Sequence, residues 1–235
     1  MSEKASAPIG IFDSGIGGLT VAKAVKDILP NERIVYFGDT ARTPYGPRTA
    51  EEVLQFTREI VDYLIQFQPK MIVIACNTAT AVALMDIRSR VAVPVVGVIN
   101  PGARAAIGRT KTGCIGVIGT EGTINSGAYE QALKTLSPKI EIISRACPAF
   151  VPLVEEGKFS SRETSRVVTE SLQTLHEFPI DCLILGCTHY PLLIPKIREY
   201  LPANISIISQ GEIVAQSLKH YLNRHPEMDI KCSKN

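Results

Sequence analysis

What the chain lacks narrows it before anything it contains. Across its 235 residues no apolar run approaches the roughly 18 residues of a membrane span, and Met1 to Gly10 hold no apolar core flanked by basic residues. A soluble cytoplasmic protein is the expectation. The net charge is only +2 and the basic residues are scattered, without the Lys/Arg run or basic, aromatic-rich motif of a nucleic-acid module. Nucleic acid is therefore not an expected partner. The six cysteines, Cys76, Cys114, Cys147, Cys182, Cys187 and Cys232, show no CxxC spacing, so neither a metal site nor a disulfide framework is suggested. The one glycine-rich turn, Asp13 to Thr20, is neither GxGxxG nor a P-loop. A phosphate-bearing cofactor is not implied, and no cofactor is expected.

What the chain has is a set of short runs of unbroken hydrophobicity. A strand covered by helices on both faces reads this way, with no alternation of polar and apolar residues. Two of these runs end in cysteine. Met71 to Ala75 stops at Cys76-Asn77-Thr78, and Cys182 to Gly186 stops at Cys187-Thr188-His189. Ligands of open α/β sheets bind beyond the carboxyl ends of their strands, so both thiols are expected at a site. Cys114, Cys147 and Cys182 lie in or beside apolar segments and read instead as small buried hydrophobes.

The pattern repeats. Ile115 to Thr120 matches Ile9 to Ser14, Lys139 to Ile143 falls where Arg33 to Phe37 would place it, Cys187 answers Cys76, and Ile205 to Gly211 answers Val95 to Gly102. The offset stays near 110 residues throughout. The expected fold is α/β, with two similar domains of mainly parallel sheets related by a pseudo-two-fold and the active site in the cleft between them. Residues 1–99 plus 210–235 make the first domain and 100–209 the second. Helices are expected over residues 49–67, 79–88, 160–178 and 212–222. Residues 146–157 read as an apolar, proline-marked connection, and the chain from Asn223 as frayed.

Other residues gain interest from position. Asp13 and Asp39 each follow a strand, where an acid/base group would sit, and residues 41–48 form a loop fixed by Pro44 and Pro47 at the same end of the sheet. Of the four histidines, His189 alone is placed to tune a thiol. Either Glu155 or Glu156 could face the cleft, although both read more readily as solvated helix acids.

At these residues the chain resembles the glutamate racemases of the cofactor-independent aspartate/glutamate racemase superfamily. The motifs that carry the likeness are Phe12 to Gly18, Tyr36 to Thr40 with Pro44-Tyr45-Gly46, Ala75 to Thr80, Gly97 to Ala103, and Leu185 to Pro191. The resemblance implies Cys76 and Cys187 as paired proton donor/acceptors, with Asp13, Ser14, Pro44, Tyr45, Gly46, Asn77, Thr78, Thr120, Thr188 and His189 contacting glutamate. It also implies supporting acid/base roles for Asp13, His189, Asp39 and Glu155, and a part in peptidoglycan synthesis. Thr43, where many members have cysteine, and Ser209 to Glu212 depart from the family pattern. A homodimer is compatible with the sequence, which does not specify one.

The expected chemistry is inversion at an α-carbon by two thiols on opposite faces, one thiolate and one thiol. A free cysteine is only a few per cent thiolate at neutral pH. An acid or imidazole is therefore expected beside each sulfur, Asp13 near Cys76 and His189 near Cys187. A non-catalytic amino-acid-binding protein would not need two strand-end thiols. A cysteine-dependent lyase or isomerase of the same superfamily would usually lack one of them.

Overall fold

The computed structural model describes residues 7–225. Its elements are β1 (Ile9–Asp13), α1 (Leu19–Ile28), β2 (Ile34–Gly38), α2 (Ala50–Ile65), β3 (Met71–Ile74), α3 (Asn77–Arg90), β4 (Val95–Gly97) and α4 (Ile99–Arg109), followed by β5 (Cys114–Gly119), α5 (Glu121–Asn125), α6 (Ala128–Leu136) and β6 (Glu141–Ala146). Then come α7 (Phe150–Glu155), α8 (Arg162–Leu172), β7 (Cys182–Gly186), α9 (Ile194–Tyr200), β8 (Ser206–Ile208) and α10 (Gln210–Arg224). Cys232 and the final residues lie outside the described segment. No helix among the described residues is long and apolar enough to cross a membrane.

The strands form two four-stranded parallel sheets with one topology used twice, β2-β1-β3-β4 and β6-β5-β7-β8. Every residue of β1, β3, β5 and β7 is buried, as unbroken hydrophobicity requires of strands covered on both faces. The outer strand β6 is half-exposed. In each sheet the chain leaves the first strand to one side and returns on the other, so the strand order reverses between β1 and β3 and again between β5 and β7. That reversal opens a crevice at the carboxyl ends of the two inner strands. Asp13 ends β1 opposite Gly38, and Phe12 pairs with Ile74 two residues before Cys76. In the second sheet Gly119 pairs with Gly186 immediately before Cys187.

The helices close the faces. Helix α2 begins with a capping box, Thr49 accepting from the Glu52 amide and Glu52 from that of Thr49, and buries Val53, Ile60, Val61 and Leu64 along one side. Helix α10 follows the last strand of the second sheet but packs on the first half, where Val214, Ala215 and Leu218 join Val21 and Val25 of α1 in one core. At the amino ends of the strands Lys70 and Glu32 form a buried ion pair, their side chains 0% and 6% exposed.

Four elements differ from expectation. The third helix starts at Asn77, not Ala79, because the Cys76 sulfur caps it by accepting from the Ala79 amide. Residues 150–155 of the expected connection form α7; Pro152 is tolerated in its first turn, where backbone N–H groups have no partner within the helix. The helix over 160–178 is shorter, running from Arg162 to Leu172 and tightening into a 3-10 turn over Gln173–Glu177. Helix α10 also extends to Arg224.

Candidate active site

The site begins with the turn after β1. Asp13 is fully buried, and its Oδ2 accepts from the amides of Gly15 (3.1 Å) and Gly18 (2.9 Å). The second half reaches the same carboxylate. The Thr188 hydroxyl donates to Asp13 Oδ1 at 3.1 Å, joining the segments that follow β1 and β7. Only glycine lets them approach so closely, since a Cβ at Gly17 would lie 2.6 Å from His189 Nδ1 and 2.7 Å from Thr188 Oγ1.

A second bridge closes the other side. Thr120 caps α5 by accepting from the Thr123 amide (3.2 Å), and the Thr78 hydroxyl of α3 lies 2.9 Å from Thr120 Oγ1 and 3.1 Å from Thr123 Oγ1. The loop over 41–48 joins here too, the Gly46 carbonyl accepting from the Gly122 amide at 3.0 Å. Between the bridges is a narrow cavity lined from the first half by Ser14, Thr43, Pro44, Tyr45, Gly46, Cys76, Asn77 and Thr78, and from the second by Thr120, Val151, Cys187, Thr188 and His189. Both expected thiols are therefore in one chamber.

Three expected residues do not line it. Asp13 sits behind the turn. Asp39 faces away, its Oδ2 accepting from the Tyr45 hydroxyl (2.5 Å) and Arg42 Nε (2.7 Å). It ends β2, an edge strand outside the reversal of strand order, so its carboxylate braces the 41–48 loop from behind. Glu155 is the third. Its Oε1 lies 2.6 Å from His189 Nε2, whereas Glu156 pairs outward with Lys158. His189 Nδ1 lies 3.8 Å from Cys187 Sγ. With Nε2–H directed at the Glu155 carboxylate, the Nδ1 lone pair faces the thiol. Cys187, His189 and Glu155 thus form a chain running out of the cavity.

The two thiols have unlike surroundings. Burial pushes Cys76 up to about 11, and the Asp13 carboxylate adds to the rise; the Ala79 and Thr78 amides and the Ser14 side chain oppose it. Asp13 consequently does not promote the Cys76 thiolate, contrary to expectation, because two negative charges close together disfavour each other. Burial also raises Cys187 well above its ordinary value, with the Cys76 and Asp13 charges adding to the rise and the His189 and Tyr190 amides opposing it. Cys76 benefits from the N-terminus of a 14-residue helix, whereas Cys187 precedes only a short 3-10 turn over Tyr190–Leu193. Asp13 is itself raised by burial, with the neighbouring His189 ring and hydrogen bonds from the Gly18 and Gly15 amides and Thr188 opposing the rise.

Two buried polar atoms on the cavity wall have no protein partner, Asn77 Nδ2 and Thr43 Oγ1. Leaving such a group unpaired costs about 1–3 kcal/mol, which a ligand oxygen would relieve. Thr43, Val151 and the buried pair Tyr129 and Gln210 behind Asn77 are site residues that the sequence does not single out. Thr43 and Gln210 stand out there only as departures from a family pattern.

Two parallel α/β halves, each bringing a strand-end cysteine to the wall of one shared cavity, are the architecture of a racemase-like α/β protein. The chain belongs to the Asp/Glu/Hydantoin racemase family, whose profile matches residues 19–218. Within it, the glutamate racemase of Bacillus cereus (strain ATCC 10987 / NRS 248) is 52% identical over 219 residues, spanning 93% of this chain and 81% of the relative. The crystal structure of glutamate racemase isoform RacE1 from Bacillus anthracis superposes with a TM-score of 0.91 at 47% identity, covering 94% of this chain and 83% of that one. The glutamate racemase of Francisella tularensis subsp. tularensis SCHU S4, solved in complex with D-glutamate, gives a TM-score of 0.89 at 38% identity over 95% of this chain and 83% of that one.

Proposed function

We propose that the protein interconverts L- and D-glutamate, with Cys76 and Cys187 as the two proton-transfer groups. The observation that carries this is the placement of both thiols, buried, at equivalent points of two like sheets and on the wall of one cavity. One sulfur, as thiolate, removes the α-proton while the other, as thiol, delivers a proton to the opposite face; the direction of reaction decides which does which. The mutual repulsion of the two sulfur charges opposes ionising both thiols at once, so that when one is thiolate the other stays protonated.

The remaining residues bind and tune. Asn77 Nδ2 and the Thr43 hydroxyl supply unpaired donors for substrate carboxylate oxygens. The carboxylate of Asp13, two residues from Gly15 in the turn, favours a substrate ammonium nearby. His189, oriented by Glu155, exchanges a proton with Cys187. Asp39 holds Tyr45 in place and acts through it. The division into a first domain of residues 1–99 with 210–235 and a second of 100–209 belongs to this reading, and over the described residues the core shared by α1 and α10 supports it. D-glutamate is a building block of the bacterial wall polymer, and supplying it in the cytoplasm is the role this activity fits.

Circular dichroism of the purified protein with L-glutamate, without added cofactor, tests the reading. The optical signal should decay to zero, and Cys76→Ala and Cys187→Ala should each abolish the decay while keeping the wild-type far-ultraviolet spectrum. Either variant racemising at the wild-type rate would overturn it.

A further inference from the structure

Asn77 lines the cavity, and the two ends of its amide differ: Oδ1 has protein partners and Nδ2 has none. Its Oδ1 accepts from the Tyr129 hydroxyl at 2.7 Å and lies 3.4 Å from Gln210 Nε2, while Gln210 Nε2 donates to the Tyr129 oxygen at 2.5 Å. A phenol has one hydrogen. Tyr129 gives its hydrogen to Asn77 and so must receive one from Gln210, and the donors run in a single direction: Gln210, Tyr129, Asn77. Burial raises the Tyr129 pKa, so the hydroxyl keeps its proton. All three side chains are at most 2% exposed.

The direction has a chemical consequence. As arranged, the Nδ2 end of Asn77, a residue of the cavity wall, has no protein partner, and neither has Gln210 Oε1 at the far end of the path. Were the chain reversed, with Gln210 Oε1 accepting from Tyr129 and Tyr129 accepting from Asn77, the cavity wall would carry the Asn77 carbonyl oxygen and repel a carboxylate. Neither Tyr129 nor Gln210 lines the cavity. Both act through Asn77 or not at all.

We propose that Tyr129 and Gln210 are positioning residues that fix the Asn77 amide with its N–H end toward a carboxylate of the substrate, an inference that rests on the glutamate reading above. The three residues come from α3, α6 and α10, and the path between them joins the two halves of the molecule. Helix α10 is seated against α1 at Gly211, where a Cβ would lie 3.0 Å from the Thr20 carbonyl oxygen. The carboxylate anchor is therefore assembled only with the halves in this arrangement, and a carboxylate that binds it favours the same arrangement.

The test uses Tyr129→Phe, Gln210→Met and the double variant, with KM and kcat in both directions, the unfolding temperature, and calorimetric affinity for D-glutamate. Calorimetry reads the anchor whether or not the protein racemises, so weakened binding in the variants of a wild type without turnover would support the positioning claim and remove the racemase reading. Tyr129→Phe should raise KM and Kd about tenfold, and Gln210→Met about threefold, with kcat within about twofold, the signature of lost binding common to ground and transition states. Because both act on one atom, the double variant should match Tyr129→Phe alone and not the product of the two effects. Unchanged KM and Kd, additive effects, a fall in kcat together with the unfolding temperature, or a wild type that does not bind glutamate would overturn the proposal. Should Tyr129→Phe fail to fold, the Gln210→Met values decide it.

Discussion

Cys76 and Cys187 are each held as thiols by burial, and their neighbours grade them. With Cys76 pushed up to about 11, its thiolate fraction grows about tenfold for each pH unit gained below that value. Free-enzyme rate constants report this ionisation. We expect kcat/KM for glutamate to rise continuously between about pH 6.5 and 8.5, and a profile that is flat or falls over that interval would show that the reacting sulfur is already ionised in the free protein. The sequence made these two residues legible because each ends an unbroken apolar run and is followed by hydrogen-bonding side chains. It could not rank them, since the difference arises from their surroundings in space: a full helix behind Cys76, and a short turn with His189 and Glu155 behind Cys187. Glu155 was indistinguishable from Glu156 for a similar reason. Both end a short helical segment, and only the close approach of α7 to the turn at Tyr190 turns one inward.

At the scale of elements, inner strands proved easier to read than anything attached to edge strands. Continuous hydrophobicity located β1, β3, β5 and β7, and with them Asp13, Cys76, Thr120 and Cys187 at or just past their carboxyl ends. Asp39 follows a strand in the same way, yet β2 lies outside the reversal of strand order and its acid points to Arg42 and Tyr45. Strand order depends on pairing between distant segments, which local pattern does not encode. The opposite ends of the strands carry stability instead of chemistry. Replacing Lys70 with Met leaves Glu32 buried without its partner and should cost about 3–5 kcal/mol. Denaturant titration checks this, and Lys70→Met with Glu32→Gln should recover most of the loss. Destabilisation below about 1 kcal/mol in the single variant would show that Glu32 finds another partner.

At the scale of the whole molecule, the internal repeat is the feature that turns two cysteines into a pair. The matched segments near 110 residues apart correspond to one strand order used twice, and each copy contributes a thiol to the common cavity. The contacts that join the copies were not legible: the Asp13–Thr188 bond, the threonine cluster and the path from Gln210 to Asn77 are all made between residues remote in sequence. Two thiols on two halves carry a signature that a single base lacks, because the proton removed and the proton delivered are held by different atoms. The most direct test is racemisation of L-glutamate in deuterated water, stopped early, with mass analysis of both enantiomers. Two-thiol transfer predicts deuterium at the α-carbon of the D-glutamate formed and protium in the L-glutamate that remains. Product that retains the original hydrogen would contradict it, since one group would then have carried the proton from face to face.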